Sequence, residues 1–313
     1  MANALITSAS TGLGASGQGT IMTVLADAFL AAKRNKGRIL AHCNTDAEMT
    51  PGPHGTARVI VAPSNLTVND ETDGTTPNFD DTVGTYYDVA ISEHKSVVFG
   101  FTQIAQALDG GRAIPPNVQG RIYSLFNAIE QDVAALAATF TTNVFGTPGV
   151  AINQTTFNQA RASLVTAQVP DLEALTAFYK PGTNNWDALS QLPNFNLFFN
   201  TGRMSPQVEE DFGSGNGVMW KNARHFESQN VDTAAGTTYN FLFHRDALLV
   251  AMKELPMSTS PGVEMMNFKD PDSEIAWQIM KYWDQAHGGD VLKIHSLYGR
   301  RVGRDEFGAL MET

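Results

Sequence analysis

The strongest constraint on the fold is one long run of helical periodicity. Apolar side chains recur at Val118, Ile122, Leu125, Phe126, Ile129, Val133, Leu136 and Phe140, the three-and-four spacing that lines one face of an α-helix. Gln119, Arg121, Asn127 and Gln131 fall on the opposite face. Pro115-Pro116 favours a helix start here, and Gly146-Thr147-Pro148-Gly149 ends the run. The spacing predicts a helix over residues 116–144, roughly 40 Å long at about 1.5 Å per residue.

The flanking texture is different. The first 20 residues are mostly Ala, Ser, Thr and Gly, and residues 20–33 carry Ile21, Leu25, Ala28 and Phe29 at helical spacing. Lys33, Arg34, Lys36 and Arg38 follow at the C-terminal end, where the helix dipole favours cations. The run Ala57-Arg58-Val59-Ile60-Val61-Ala62 is strand-like, and a second β-rich run extends over 86–101. Between them lies a polar, acidic stretch, 69–81, so the two strands are expected to form an extended hairpin with a long polar tip.

Beyond the long helix the elements are shorter. Residues 156–166 read as a helix, and 196–200 as a buried strand. Ser205-Pro206, with Glu209 and Glu210 in the following turn, reads as a helix start. The turn Gly213-Ser214-Gly215-Asn216-Gly217 leads into a further strand. Residues 239–243 are strand-like, His244-Arg245-Asp246 is expected to open a helix over 247–254, and 291–295 form a late strand. The segment 169–192 fits no element. The class is α+β, with one dominant helix and no regular strand–helix alternation.

Charge and cysteine usage narrow the function. The net charge of −11 argues against a sequence-reading nucleic-acid binder, which carries a basic face, though not against a protein that encloses nucleic acid. Cys43 is the single cysteine, so no intramolecular disulfide is possible and a reducing compartment fits. No apolar run reaches the ~18 residues of a membrane span, so no membrane partner is expected. The first residues lack the basic and apolar regions of a secretion signal.

Four features invite a catalytic or metal-binding reading. Gly12-Leu13-Gly14-Ala15-Ser16-Gly17 is a literal G-x-G-x-x-G, followed by a helix, a strand-like Arg38-Ile39-Leu40-Ala41, and Asp46 at the position of a ribose-binding carboxylate. An NAD(P)-dependent oxidoreductase using this loop is the alternative function. Against it, the preceding residues are too rich in Ala, Ser and Thr for a buried strand, and no second βαβ unit follows. The seven histidines, His42, His54, His94, His225, His244, His287 and His295, contain no i, i+4 pair and read as scattered surface or packing residues. Cys43 has no evident base in sequence and reads as a small buried hydrophobe. The acidic runs at Asp70, Glu71 and Asp73 and at Asp270 and Asp272 lack EF-hand spacing. No catalytic, cofactor-binding or metal-binding residue is assigned, and no cofactor is expected.

Taken in order, these elements resemble the major capsid (coat) proteins of tailed bacteriophages, with the Hong Kong 97-type fold. Three local stretches carry the resemblance. Phe241-Leu242-Phe243-His244-Arg245-Asp246-Ala247-Leu248 is similar to a strand-to-helix step common in such proteins. The stretch from Gly217 to Ser228, containing Trp220 and Phe226, sits where many carry a characteristic strand, although Ala223-Arg224 replaces its glycine. Leu297-Tyr298-Gly299-Arg300-Arg301-Val302 resembles their C-terminal ending.

The resemblance implies an N-terminal arm with a helix over 1–55, an E-loop hairpin over 56–101, a peripheral domain over 102–168 and 262–289 with the spine helix 116–144, and an axial domain over 169–261 and 290–313. It implies a subunit that is not an enzyme and that self-assembles, as hexamers and pentamers, into an icosahedral shell around a double-stranded DNA genome. The E-loop is then expected to lie across a neighbouring subunit. Scaffold, portal and decoration proteins are the further partners it implies, with packaged DNA only loosely contacted. The location is the virion, after assembly in the host cytoplasm. No charged helical leader of the delta-domain type is expected. A cellular encapsulating shell of the same fold is the second alternative.

Overall fold

The long apolar stripe does form a helix, but over a shorter span than its periodicity suggests. In a computed structural model, which describes residues 39–45, 47–48, 55–61, 85–102, 116–190, 218–257, 262–269, 276–286 and 288–313, helix α1 covers Pro116–Ala137. Leu125, Phe126, Ile129, Val133, Ala134 and Ala137 are buried along one face. The helix stops seven residues before 144 because Thr139, Thr141 and Thr142 are poor helix formers, and Thr141 and Thr142 have better partners elsewhere. The Asp305 carboxylate accepts the backbone N–H groups of Thr141 (3.1 Å) and Thr142 (2.9 Å) and both hydroxyls. Phe140 still reaches the core from the turn, and Val144 begins a strand instead.

The strands, in chain order, begin with β1 (Ala47–Glu48), β2 (Thr56–Val61), β3 (Thr85–Thr102) and β4 (Val144–Gly146). Next come β5 (Leu175–Tyr179), β6 (Val218–Trp220), β7 (Ala223–Glu227), β8 (Thr233–Ala234) and β9 (Thr237–Phe243). The last are β10 (Leu248–Lys253), β11 (Val263–Lys269), β12 (Ala276–Asp284), β13 (Gly289–Val302) and β14 (Gly308–Glu312). Two further helices, α2 (Gln154–Thr166) and α3 (Trp186–Ser190), lie between β4 and β6. Asn153 caps α2, its side-chain oxygen accepting the Thr156 N–H at 2.9 Å.

The strands form two sheets. One runs β1-β2-β3-β13-β12-β11, with β10 also paired to β13, and every ladder in it is antiparallel. The other runs β4-β14-β9-β5-β7-β6, with β8 on β9, and only its β4–β14 and β5–β7 ladders are parallel. The expected hairpin is present as the β2–β3 pair, from Thr56↔Ala90 to Val61↔Thr85. The unassigned segment 169–192 holds β5, whose five residues are all buried, together with α3.

One expected helix is a strand. Residues 248–253 pair antiparallel with β13, Leu248 opposite Val302 through Lys253 opposite Leu297, and only a short 3-10 turn at Arg245–Ala247 precedes them. Leu248, Leu249, Val250 and Ala251 are all buried, and a continuous apolar run does not distinguish a buried strand from a buried helix. The turn carries the chain from the second sheet into the first, and Gly303-Arg304 carries it back. The two crossings bond each other: Gly303 N–H donates to Ala247 C=O (2.9 Å), and His244 N–H to Phe307 C=O (3.0 Å).

A large buried core joins both sheets, running from Phe99, Leu292 and Ile294 through the α1 face to Phe178, Phe241 and Phe243, and a smaller cluster of Ala57, Val59, Val89, Leu249 and Ala251 joins the hairpin to β10. Sheet membership divides the chain differently from the expected boundaries. β10 and β13 belong to the first sheet although they fall within 169–261 and 290–313, and of the last segment only β14 joins the second. Backbone pairing to β12 and β3, rather than position along the chain, decides where β13 lies.

Candidate functional site

The structure separates the features that suggested chemistry. Gly12, Gly14, Gly17, Asp46, His54, His287, the arm helix 20–33, the hairpin tip 69–81 and the elements expected over 196–217 lie outside the described residues. A dinucleotide fold needs parallel βαβ units, whereas the first sheet is antiparallel throughout, and Leu40–His42 is a 3-10 turn instead of a strand. Cys43 is buried, its thiol donating to Ile39 C=O at 3.3 Å. Burial, reinforced by the charge of Glu130, pushes its pKa far above the ordinary thiol value, opposite to what a nucleophile needs.

Among the described residues no group of three His, Cys, Asp or Glu side chains converges as metal ligands. The histidines have separate structural roles. His225 is fully buried, hydrogen-bonded to Tyr179 Oη (3.1 Å) and Trp220 C=O (3.1 Å). His42 packs against Phe178 and Phe226. His244 Nδ1 accepts the Asp246 N–H at the sheet crossing.

His94 and His295, read from sequence as scattered, are brought together as diagonal neighbours on β3 and β13. Their ring nitrogens start a row of hydrogen bonds that crosses four strands. His94 Nε2 meets His295 Nδ1 at 3.0 Å, and His295 Nε2 meets Gln278 Oε1 at 2.8 Å. Gln278 Nε2 donates to Asn267 Oδ1 (2.7 Å), and Asn267 Nδ2 to Leu255 C=O (2.8 Å). Because Gln278 Oε1 can only accept, His295 donates from Nε2, and its Nδ1 is the bare nitrogen that accepts from His94. No sequence signal marks this row, since its members come from four separate strands.

The hairpin is rooted by tight packing and exposes much of its surface. β3 pairs with β2 over Thr85–Ala90 and with β13 from Ile91 to Thr102, and the register shifts between Tyr298 and Gly299. At that bulge a Cβ on Gly299 would sit 2.2 Å from Ala90 O, so only glycine lets the strands approach. Arg301 donates to Asp88 C=O (2.8 Å), and Arg58 pairs with the Asp88 carboxylate (3.1 Å) while covering the Tyr86 ring. Along residues 86–100 every even-numbered residue is exposed and only Val89 and Phe99 are buried. One face of this strand, from Tyr86 through Ala90 to Val98, is largely exposed, with the Arg58 guanidinium over the Tyr86 ring.

Helix α1 is clamped to the same strands through Asp132. Lys95 Nζ on β3 reaches its carboxylate at 2.5 Å, Tyr298 Oη on β13 donates to it, and Arg300 donates to its backbone carbonyl. Partial burial opposes the charge, but the bonds from Lys95 and Tyr298 outweigh it and hold the Asp132 pKa below the usual carboxylate range. Helix α1, β3 and β13 are thereby tied together at one residue.

No protein-family model matches the sequence, and no curated protein matches it. Solved structures do. The capsid of the cyanophage P-SCSP1u is 12% identical over 87% of this chain and 86% of that one, with a TM-score of 0.52. A virus-like particle from Pyrococcus furiosus is 12% identical over 91% and 96%, with a TM-score of 0.51. A chain of Microbacterium phage Oxtober96 is 12% identical over 88% and 90%, with a TM-score of 0.50. The chain has the Hong Kong 97-type fold found in phage capsids.

Proposed function

We propose that this chain is a major capsid protein that assembles with copies of itself into an icosahedral shell around a double-stranded DNA phage genome. The observation that carries the reading is the match in fold to the cyanophage P-SCSP1u capsid, over 87% of this chain and 86% of that one. The exposed face of β3 supports it physically. A long strand with apolar Tyr86 and Val98 half or nearly half exposed is stabilised when a neighbour covers it. In this reading the hairpin 56–101 is the E-loop and lies across an adjacent subunit, and α1 is the spine helix of a peripheral domain. The second sheet forms the axial domain around hexamer and pentamer centres, and 1–55 is the N-terminal arm. An acidic subunit grips packaged DNA weakly, consistent with contents that must leave. The subunit acts as a structural component of the virion, assembled in the host cytoplasm with scaffold, portal and decoration proteins as further partners, and catalyses no reaction.

A second reading, a cellular compartment shell of the same fold, is favoured by the match to the Pyrococcus furiosus virus-like particle. Electron microscopy of the purified protein tests the common core of both. Closed shells, hexamers or pentamers are expected, and a monodisperse monomer or dimer that binds a nicotinamide cofactor refutes it. Nucleic acid inside shells isolated from the native source supports the capsid, and a protein cargo the compartment.

A further inference from the structure

The row of hydrogen bonds that crosses the first sheet leaves one imidazole with its lone pair fixed towards an exposed partner. His295 is buried, and its Nε2–H is committed to Gln278 Oε1 at 2.8 Å. Gln278 is buried too and cannot turn its amide over. Its Nε2 donates to Asn267 Oδ1 (2.7 Å) and to the carbonyls of Leu255 (3.2 Å) and Pro256 (3.4 Å). The lone pair of neutral His295 therefore sits on Nδ1, the nitrogen that meets His94. His94 lies on the exposed face of β3, where its ring can turn and ions can reach it.

This is how a protein holds a metal-ligating histidine. One ring nitrogen is left bare for the ion, and the other donates to an acceptor that fixes the tautomer and the ring plane. The separation of the two rings also suits a chelate. Two nitrogens each about 2.05 Å from one ion lie about 2.9 Å apart at a right angle and about 3.3 Å apart at the tetrahedral angle. His94 Nε2 and His295 Nδ1 are 3.0 Å apart, between these values. A pair of imidazoles with this bite suits a late divalent transition ion, Cu²⁺ above Ni²⁺ and Zn²⁺. Ca²⁺ and Mg²⁺, which take oxygen ligands, are not held by it.

We infer that His94 and His295 are the two protein ligands of a surface site for one divalent transition-metal ion, bridging β3 and β13. Entry of the ion breaks the hydrogen bond between the rings. The His94 proton passes through water from Nε2 to Nδ1, both facing nitrogens become ligands, and the ion gives up two of its waters for them. No proton is released overall. Water keeps the remaining positions, so the ion exchanges readily, unlike one in a closed four-ligand site. One charge opposes the ion. Lys293 stands two residues from His295 on the same side of β13, and its charge already acts on that ring.

Ni²⁺ binding to the purified chain tests this. His94→Ala changes an exposed side chain and is expected to weaken Ni²⁺ binding about tenfold or more, with circular dichroism unchanged. Lys293→Gln removes the opposing charge and should tighten binding about twofold, an effect that a purely structural role for the histidines does not produce. A second measurement needs no variant. Diethyl pyrocarbonate modifies exposed imidazoles, and peptide mass spectrometry reads each histidine separately. Saturating Ni²⁺ should protect His94, and Mg²⁺ at the same concentration should not. Equal Ni²⁺ affinity in wild type and His94→Ala, modification of His94 unchanged by Ni²⁺, or equal protection by Mg²⁺ overturns the site. Because the site lies within one copy, each of these outcomes leaves the shell reading as it stands.

Discussion

His94 Nε2 and His295 Nδ1 share a hydrogen bond of 3.0 Å although 201 positions separate the two residues in the chain. The bond requires a bare nitrogen on His295, and burial, followed by the nearby charges of Lys293 and His94, lowers the His295 pKa to about 4. His225 is lowered to about 4 as well, by burial within the second sheet, against its bond to the Trp220 carbonyl.

These histidines predict an acid-labile fold. In the unfolded chain a histidine titrates near 6.5, so between about 6.5 and 4 the unfolded state binds more protons than the folded one. The stability they contribute is complete above pH 6.5 and is lost as pH falls towards 4. A shift of this size corresponds to roughly 3 kcal/mol for one fully buried group. Urea midpoints measured from pH 7 to pH 4 should fall across this window, and less steeply in His295→Gln. A midpoint independent of pH over that range contradicts the assignment.

Gly299→Ala should loosen the root of the hairpin. The added methyl meets Ala90 O at 2.2 Å, a contact with backbone that no side-chain rotation relieves. Overpacking of this kind costs about 1–3 kcal/mol or more. Limited proteolysis should then cut the 62–84 connection faster in the variant, alongside a lower melting temperature. Gly100→Ala, with nothing within 4 Å of its added Cβ, is the control expected to change little.

Asp132→Asn tests the clamp between α1 and the first sheet. The amide cannot match the carboxylate's charged bonds to Lys95 and Tyr298. Because the pair is partly exposed, solvent screening limits the expected loss to about 1–2 kcal/mol at neutral pH. The folded-state pKa lies below the ordinary 3.8, so this stability is present above pH 4 and disappears as pH falls further. Wild type and variant should converge in stability near pH 2. A gap that persists there would place the effect in packing instead of charge.

Much of the architecture was legible because it is written in local periodicity. The α1 stripe, the β2 and β3 runs, α2 and the β9 run are each specified by spacings within one element. Where the reading failed, the local signal was degenerate. Leu248 to Ala251 is apolar at every position, which suits a buried helix and a buried strand equally. The end of α1 was missed because Asp305, which draws off the Thr141 and Thr142 amides, is more than 160 positions away.

By itself, then, the sequence determined an α+β chain with one dominant amphipathic helix, a projecting hairpin and an acidic surface. Each follows from composition and from the periods of helix and strand. Only the tertiary structure decided that β13 pairs with β3, β10 and β12, and that His94 meets His295. Those relations depend on register between distant strands, where hydrogen bonding and packing are satisfied collectively and no single segment carries the information.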